Sequence, residues 1–126
     1  MALFTGGRSM MEGLHDWYID GVEVEGSNLR LSIHFQQQRK VLFFSGVSRC
    51  LLNNFLIQNV ICELNILSAS ENPERYGVAL GTLNEAYPWP PSEEKKIAMI
   101  SPSVGAEMIV EFTDASLKPD GYKNER

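Results

Sequence analysis

Four residues in this chain could carry nucleophilic chemistry if the fold brought them together: His15, Asp16, Cys50 and Cys62. A thiolate attacks best beside an imidazole that takes its proton, and the imidazole works best when an acid orients its other nitrogen. His15 and Asp16 would supply base and acid, and either cysteine the nucleophile. Adjacent residues of a strand point to opposite faces, however, so Asp16 can orient the His15 ring only if a turn holds the pair. Cys62 also stands in the apolar row Val60, Cys62, Leu64, Ile66, which marks it as a small core residue more than as a nucleophile. The structural reading of the pair is therefore preferred: His15-Asp16 opens a sheet, Asp16 accepts hydrogen bonds at the strand entrance, and Trp17 packs in the core.

Other chemistries lack their parts. The two histidines, His15 and His34, form no His-x-x-x-His pair, and there is no Cys-x-x-Cys, so no metal site is expected. Neither a glycine-rich phosphate loop nor a Gly-x-Ser-x-Gly elbow is written in the chain, and no cofactor is expected. Both thiols are expected to stay reduced and slow to react, each lying in an apolar segment.

Any such site must be positioned by a single core. The chain has 126 residues, 44% of them hydrophobic, and by size scaling it buries roughly two-thirds of the surface its unfolded form exposes. One domain over 1–126 is expected, with flexible ends at 1–13 and 118–126. The formal net charge is −5 and no long basic run occurs, which argues against nucleic acid as a partner. No apolar run has the length of a signal peptide or a membrane span, so a cytoplasmic location is expected, with no membrane contact.

From Asp16 to Ile66 the text alternates in strand fashion. "DWYIDGVEV" carries a bulge at Gly21, and "EGSN" turns. "LRLSIHF" sets Leu29, Leu31, Ile33 and Phe35 on one face, with Arg30, Ser32 and a solvent-facing His34 on the other. "QQQRK" connects to "VLFFSGV" and "SRCLLNNF", with a bend at Gly46, before "NVICELNIL". The texture then changes. Asn72 as N-cap and Pro73 at the first position open a helix whose stripe is Tyr76, Leu80, Leu83 and Tyr87, stopped by Pro88. "KIAMI" and "AEMIVEF" follow as strands, with "SPSVG" turning between them, and the tail from Lys118 is polar.

Two stretches bear on binding. "LLNNFLIQNVI" mixes Asn53, Asn54, Gln58 and Asn59 into an apolar run; such amides need hydrogen bonds, which a turn or bulge supplies, the alternative being that they face a partner. Trp17, Tyr76, Tyr87 and Trp89 are the aromatic candidates for a partner or ligand surface. The helix is expected to act as a lid carrying that surface.

The segments "LHDWYIDGVEVEGSNLRLSIHF", "VLFFSGVSRCLLNNFLIQNVICELNIL" and "ISPSVGAEMIVEFTDASL" together resemble small uncharacterised bacterial β-rich proteins. In these a His-Asp pair opens the first strand, a Phe-x-Gly-Val turn lies near the middle and Gly-Ala-Glu starts the last strand. The overlap covers Leu14 to Leu67 and Ile100 to Leu117. In size and acidity the chain also resembles bacterial immunity proteins, which block a toxin by binding it. The expected architecture is α+β, a mainly antiparallel β-sandwich or half-open barrel with one packed helix. The expected function is a non-enzymatic interaction module of immunity type, contacting a protein partner or a second copy in a homodimer. A binder of small apolar or amphipathic ligands is the alternative, and a hydrolase using His15 the third reading.

Overall fold

The computed structural model describes residues 13–90 and 93–119. They form β1 (Tyr18–Glu25), β2 (Asn28–Phe35), β3 (Gln38–Ser45), β4 (Arg49–Asn53), β5 (Val60–Leu67), α1 (Pro73–Ala86), β6 (Lys96–Val104), β7 (Glu107–Phe112) and β8 (Asp114–Pro119). All pairings are antiparallel, in the order β4-β7-β6-β5-β1-β2-β3-β8. The class is α+β with the sheet dominant.

The two ends of that order are joined by the chain itself. β3 runs into β4 through residues 46–48, and β7 into β8 through Thr113 alone. Since β3 pairs with β8 and β4 with β7, they make one long ribbon from Lys40↔Pro119 to Asn53↔Glu107. The ribbon bends at Gly46, where Thr113 N–H bonds Ser45 O and Ser48 N–H bonds Glu111 O. Glycine is required there: φ is +64°, and a Cβ would lie 2.7 Å from that of Thr113. Beside the bend, within the larger of two hydrophobic clusters, Phe44 of β3 meets Phe112 of β7 edge to face with centroids 5.0 Å apart.

Most of the expected alternation is present. Leu29, Leu31 and Ile33 are buried, and Asp20 is the extra residue of a bulge beside Gly21. The row Val60, Cys62, Leu64, Ile66 is corrected. β5 is irregular around Ile61 and Cys62, so the inward series runs Ile61, Leu64, Ile66, and Cys62 is left outside the core. "QQQRK" is also shorter as a connection than expected. The hairpin turns on Gln36 and Gln37, with Gln36 at φ +56°, and Gln38 already pairs with Phe35.

Two further differences concern the C-terminal half. "SPSV" belongs to β6 and is not a turn. A proline is tolerated at position 102 because the β7 ladder ends at Ile100↔Met108, while β5 opposite is shifting register. β8 was not expected: Lys118, read as the start of the polar tail, pairs with Val41, and Pro119 pairs with Lys40. The expected flexible ends otherwise fall at 1–12 and 120–126, outside the described residues.

The helix forms where predicted and covers the outer face of the sheet. Tyr76, Ala79 and Leu83 are buried against Leu67, Ile97 and Ile109, with Leu80 and Tyr87 half-buried beside them. Asn72 occupies the N-cap position, but its side chain does not cap the helix. Its Oδ1 accepts from Ser68 N–H instead. Under the last turns lies a buried ion pair: Arg49 Nε and Nη2 each donate to a Glu111 carboxylate oxygen at 2.9 Å. Ser48 Oγ donates to the same carboxylate at 2.6 Å, and Arg49 Nη1 reaches Asn84 Oδ1 at 2.8 Å. At the helix exit, Tyr87 Oη accepts from Cys50 N–H at 3.0 Å and donates to Cys50 O at 2.5 Å.

Gly77 and Gly81 lie in this helix with open space where a Cβ would go. Alanine at either position is expected to raise stability by about 0.5 to 1 kcal/mol, because it narrows the unfolded ensemble and enters no contact. Thermal melting of Gly77→Ala checks this, and a lowered midpoint would contradict it.

Candidate functional site

Where β4 ends, the chain makes a loop that combines a polar interior with an apolar exterior. Asn54 enters it at φ +60°, a left-handed conformation asparagine tolerates, and its Nδ2 donates to Gly105 O at 3.3 Å. Asn59 then closes it from within. Its Oδ1 accepts from Leu56 N–H at 2.8 Å and Ala106 N–H at 3.0 Å. Its Nδ2 donates to Leu56 O at 2.8 Å and Ile19 O at 3.4 Å. One buried amide thus fastens the loop to itself, to the turn between β6 and β7, and to β1. Gly105 fits against it at φ +83°, and a Cβ there would lie 2.6 Å from Gln58 O.

What this fastening holds outward is Phe55, Leu56 and Ile57, which are 45%, 47% and 102% exposed. Leu52 and Val104, on the neighbouring strand ends, are also exposed. Lone surface apolar residues are ordinary, but three consecutive large ones on a pinned backbone are not. The asparagine run thus divides its work: Asn59 is buried and staples the loop, Asn54 bridges to Gly105, and Asn53 is exposed at the end of β4.

The other candidates are placed elsewhere. Gly13 to Asp16 form a turn in which Trp17 N–H bonds Leu14 O and Asp16 has φ +75°. His15 Nδ1 lies 2.7 Å from Cys62 O, so that nitrogen carries the proton and donates it to the carbonyl at the β5 irregularity. His15 Nε2 stands 3.4 Å from Asp16 Oδ1 at an exposed position. The expected role of the Asp16 carboxylate is revised accordingly: the strand entrance is held by Asp16 N–H, which bonds Ile61 O at 2.8 Å. Trp17 is in the core, stacked on Phe35 with Lys40 Nζ over its ring.

Tyr76 is buried with its hydroxyl on Lys95 O, Tyr87 is half-buried, and Trp89 is exposed and packs edge-on against Tyr87. Of the four aromatics singled out, only Trp89 presents most of its ring to solvent. His34 lies on the outer face as expected, but its Nδ1–H donates to both Asp20 oxygens, at 2.7 and 2.9 Å, and Arg39 binds the same carboxylate. A cleft of about 280 Å³ is lined by Ser68, Glu93, Glu94, Lys95 and Lys96 beside Phe112.

Both cysteines are free thiols. Burial pushes Cys50 up to about 11, so at pH 8 only about one molecule in a thousand carries its thiolate. Iodoacetamide at pH 8 is expected to leave Cys50 unmodified in the native protein over an hour; peptide mass mapping that finds it rapidly alkylated would contradict this.

No family model, curated protein or solved structure matches this chain. Function is therefore argued from the loop and its surroundings. Among the described residues, no helix is long and apolar enough to cross a membrane.

Proposed function

We propose that the protein is a non-enzymatic binding module, of the immunity kind that holds or blocks a protein partner in the cytoplasm, and that its contact is the Phe55–Ile57 tip. One observation carries the reading: three large apolar side chains are displayed together on a backbone already fixed by Asn59 and Gly105. Binding normally loses affinity to the ordering of loops, and a loop ordered beforehand avoids most of that loss. The curved sheet, a half-open barrel in this reading, serves as the rigid support.

The test is photo-crosslinking in the cells that make the protein, with the photoreactive residue placed in turn at 24, 57, 78 and 89. A discrete adduct with one other protein at any position supports the binding-module reading, and one at position 57 supports the tip as its contact, if that protein, identified and purified, binds the purified chain with Kd of about 1 µM or tighter. No adduct at any position, or a captured protein that shows no binding when purified, would overturn it.

A further inference from the structure

The tip presents exposed apolar side chains, and among the described residues the strand stretches beside it carry acidic side chains and no basic ones. From Cys50 to Glu74, and again from Ile97 to Leu117, the chain has no Lys or Arg. These stretches supply the loop and the strands beside it. Glu107 pairs with Asn53 at the base of the loop, Glu63 is exposed on β5, and exposed Asp16 is tied by its backbone to Ile61. Arg49 and Lys96 stand at the far ends of β4 and β6, and other basic side chains lie on β2 and β3, where Arg30 stands 3.5 Å from Glu23 and Glu25 and Arg39 is bonded to Asp20.

We infer that the occupant of this end is a different protein with a concave apolar pocket that admits Ile57, lipped by contacts to Phe55 and Leu56, and with Lys or Arg on the rim facing Glu107, Glu63 and Asp16. This rests on the reading of the protein as a binding module. Burial of a fully exposed aliphatic side chain in a pocket concentrates binding energy at one residue, and complementary rim charges set the rate of encounter. A second copy fits poorly. A two-fold contact would set tip against tip and bring like carboxylates together.

The experiment uses the full chain and the protein captured at position 57, identified by mass spectrometry and purified. Ile57→Asp is expected to weaken binding at least about thirtyfold with an unchanged melting temperature, since the side chain touches solvent alone. The combined Asp16→Asn, Glu63→Gln, Glu107→Gln variant is expected to associate about tenfold more slowly at low salt and to lose that difference at 0.5 M NaCl. If the species captured at 57 is a second copy of the chain, or if either variant binds like the parent, the inference fails. Adducts confined to positions 24, 78 or 89 would leave the binding-module reading standing and remove this one; no adduct anywhere removes both.

Discussion

Replacing Glu111 with leucine is expected to destabilise the fold by about 3 to 5 kcal/mol, which is a large share of the typical stability of a domain this size. The loss arises less from the missing attraction than from what remains: the Arg49 guanidinium, 1% exposed beneath α1, would be left buried without its counter-charge. The double variant Arg49→Met, Glu111→Leu is expected to regain most of that loss, because two apolar side chains need no partner. Urea unfolding of the parent, the single and the double variant decides the point; equal losses in both variants would show that packing, and not charge, governs the site.

The same pair makes a pH prediction. Burial alone would push the Glu111 carboxyl up, but hydrogen bonds from Arg49 and Ser48, together with the Arg49 charge, outweigh it and hold the group below its ordinary value of 4.5. A carboxyl with a depressed folded value binds protons more readily when unfolded. Its contribution is therefore present above 4.5 and lost as the pH falls through the folded value. The parent should lose melting temperature below that point, and the double variant should lose less.

The second large effect is expected at Asn59. Asn59→Ala removes the acceptor for Ala106 N–H, a buried bond, and for Leu56 N–H, and leaves two carbonyls short of a donor. Unsatisfied buried groups cost about 1 to 3 kcal/mol each, and a loss of about 3 kcal/mol overall is expected. Asn59→Asp should not rescue it, since a carboxylate has no proton to give Leu56 O or Ile19 O. Hydrogen exchange should show amides 54–59 losing protection before the rest of the sheet does. A variant that melts within about 0.5 kcal/mol of the parent would mean the loop is held by something else.

The sheet was legible in the sequence wherever side chains had to alternate between core and solvent, as in Leu29, Leu31 and Ile33. It was illegible where the ladder slips. Nothing in "NVICELNIL" marks the irregularity around Ile61 and Cys62, because each residue alone suits either face, and the shift is visible only in the register against Ser101 and Pro102 on the partner strand. The helix start was read from Asn72-Pro73, yet Ala79 was passed over, since a small side chain gives no sign in the sequence that it is fully buried against the sheet. The ion pair was hidden because Arg49 and Glu111 are 62 positions apart and meet only through the β4–β7 register. The loop was half legible. Its asparagines announced a turn, but only the placement of Asn59 under Leu56 and Ala106 shows that Phe55, Leu56 and Ile57 must point away.

The Tyr87 hydroxyl has a bearing on what happens when many copies of this chain are crowded together. Among the described residues β4 has one ladder neighbour, β7, and an unpaired strand flank is a template on which identical molecules can polymerise edge to edge. By taking up both the N–H and the C=O of Cys50, Tyr87 blocks that template near its start with a group from the helix's C-cap. Colloidal stability is thereby coupled to the docking of the last helical turn, and a change that frees Tyr87 would uncover the flank before the fold itself is lost.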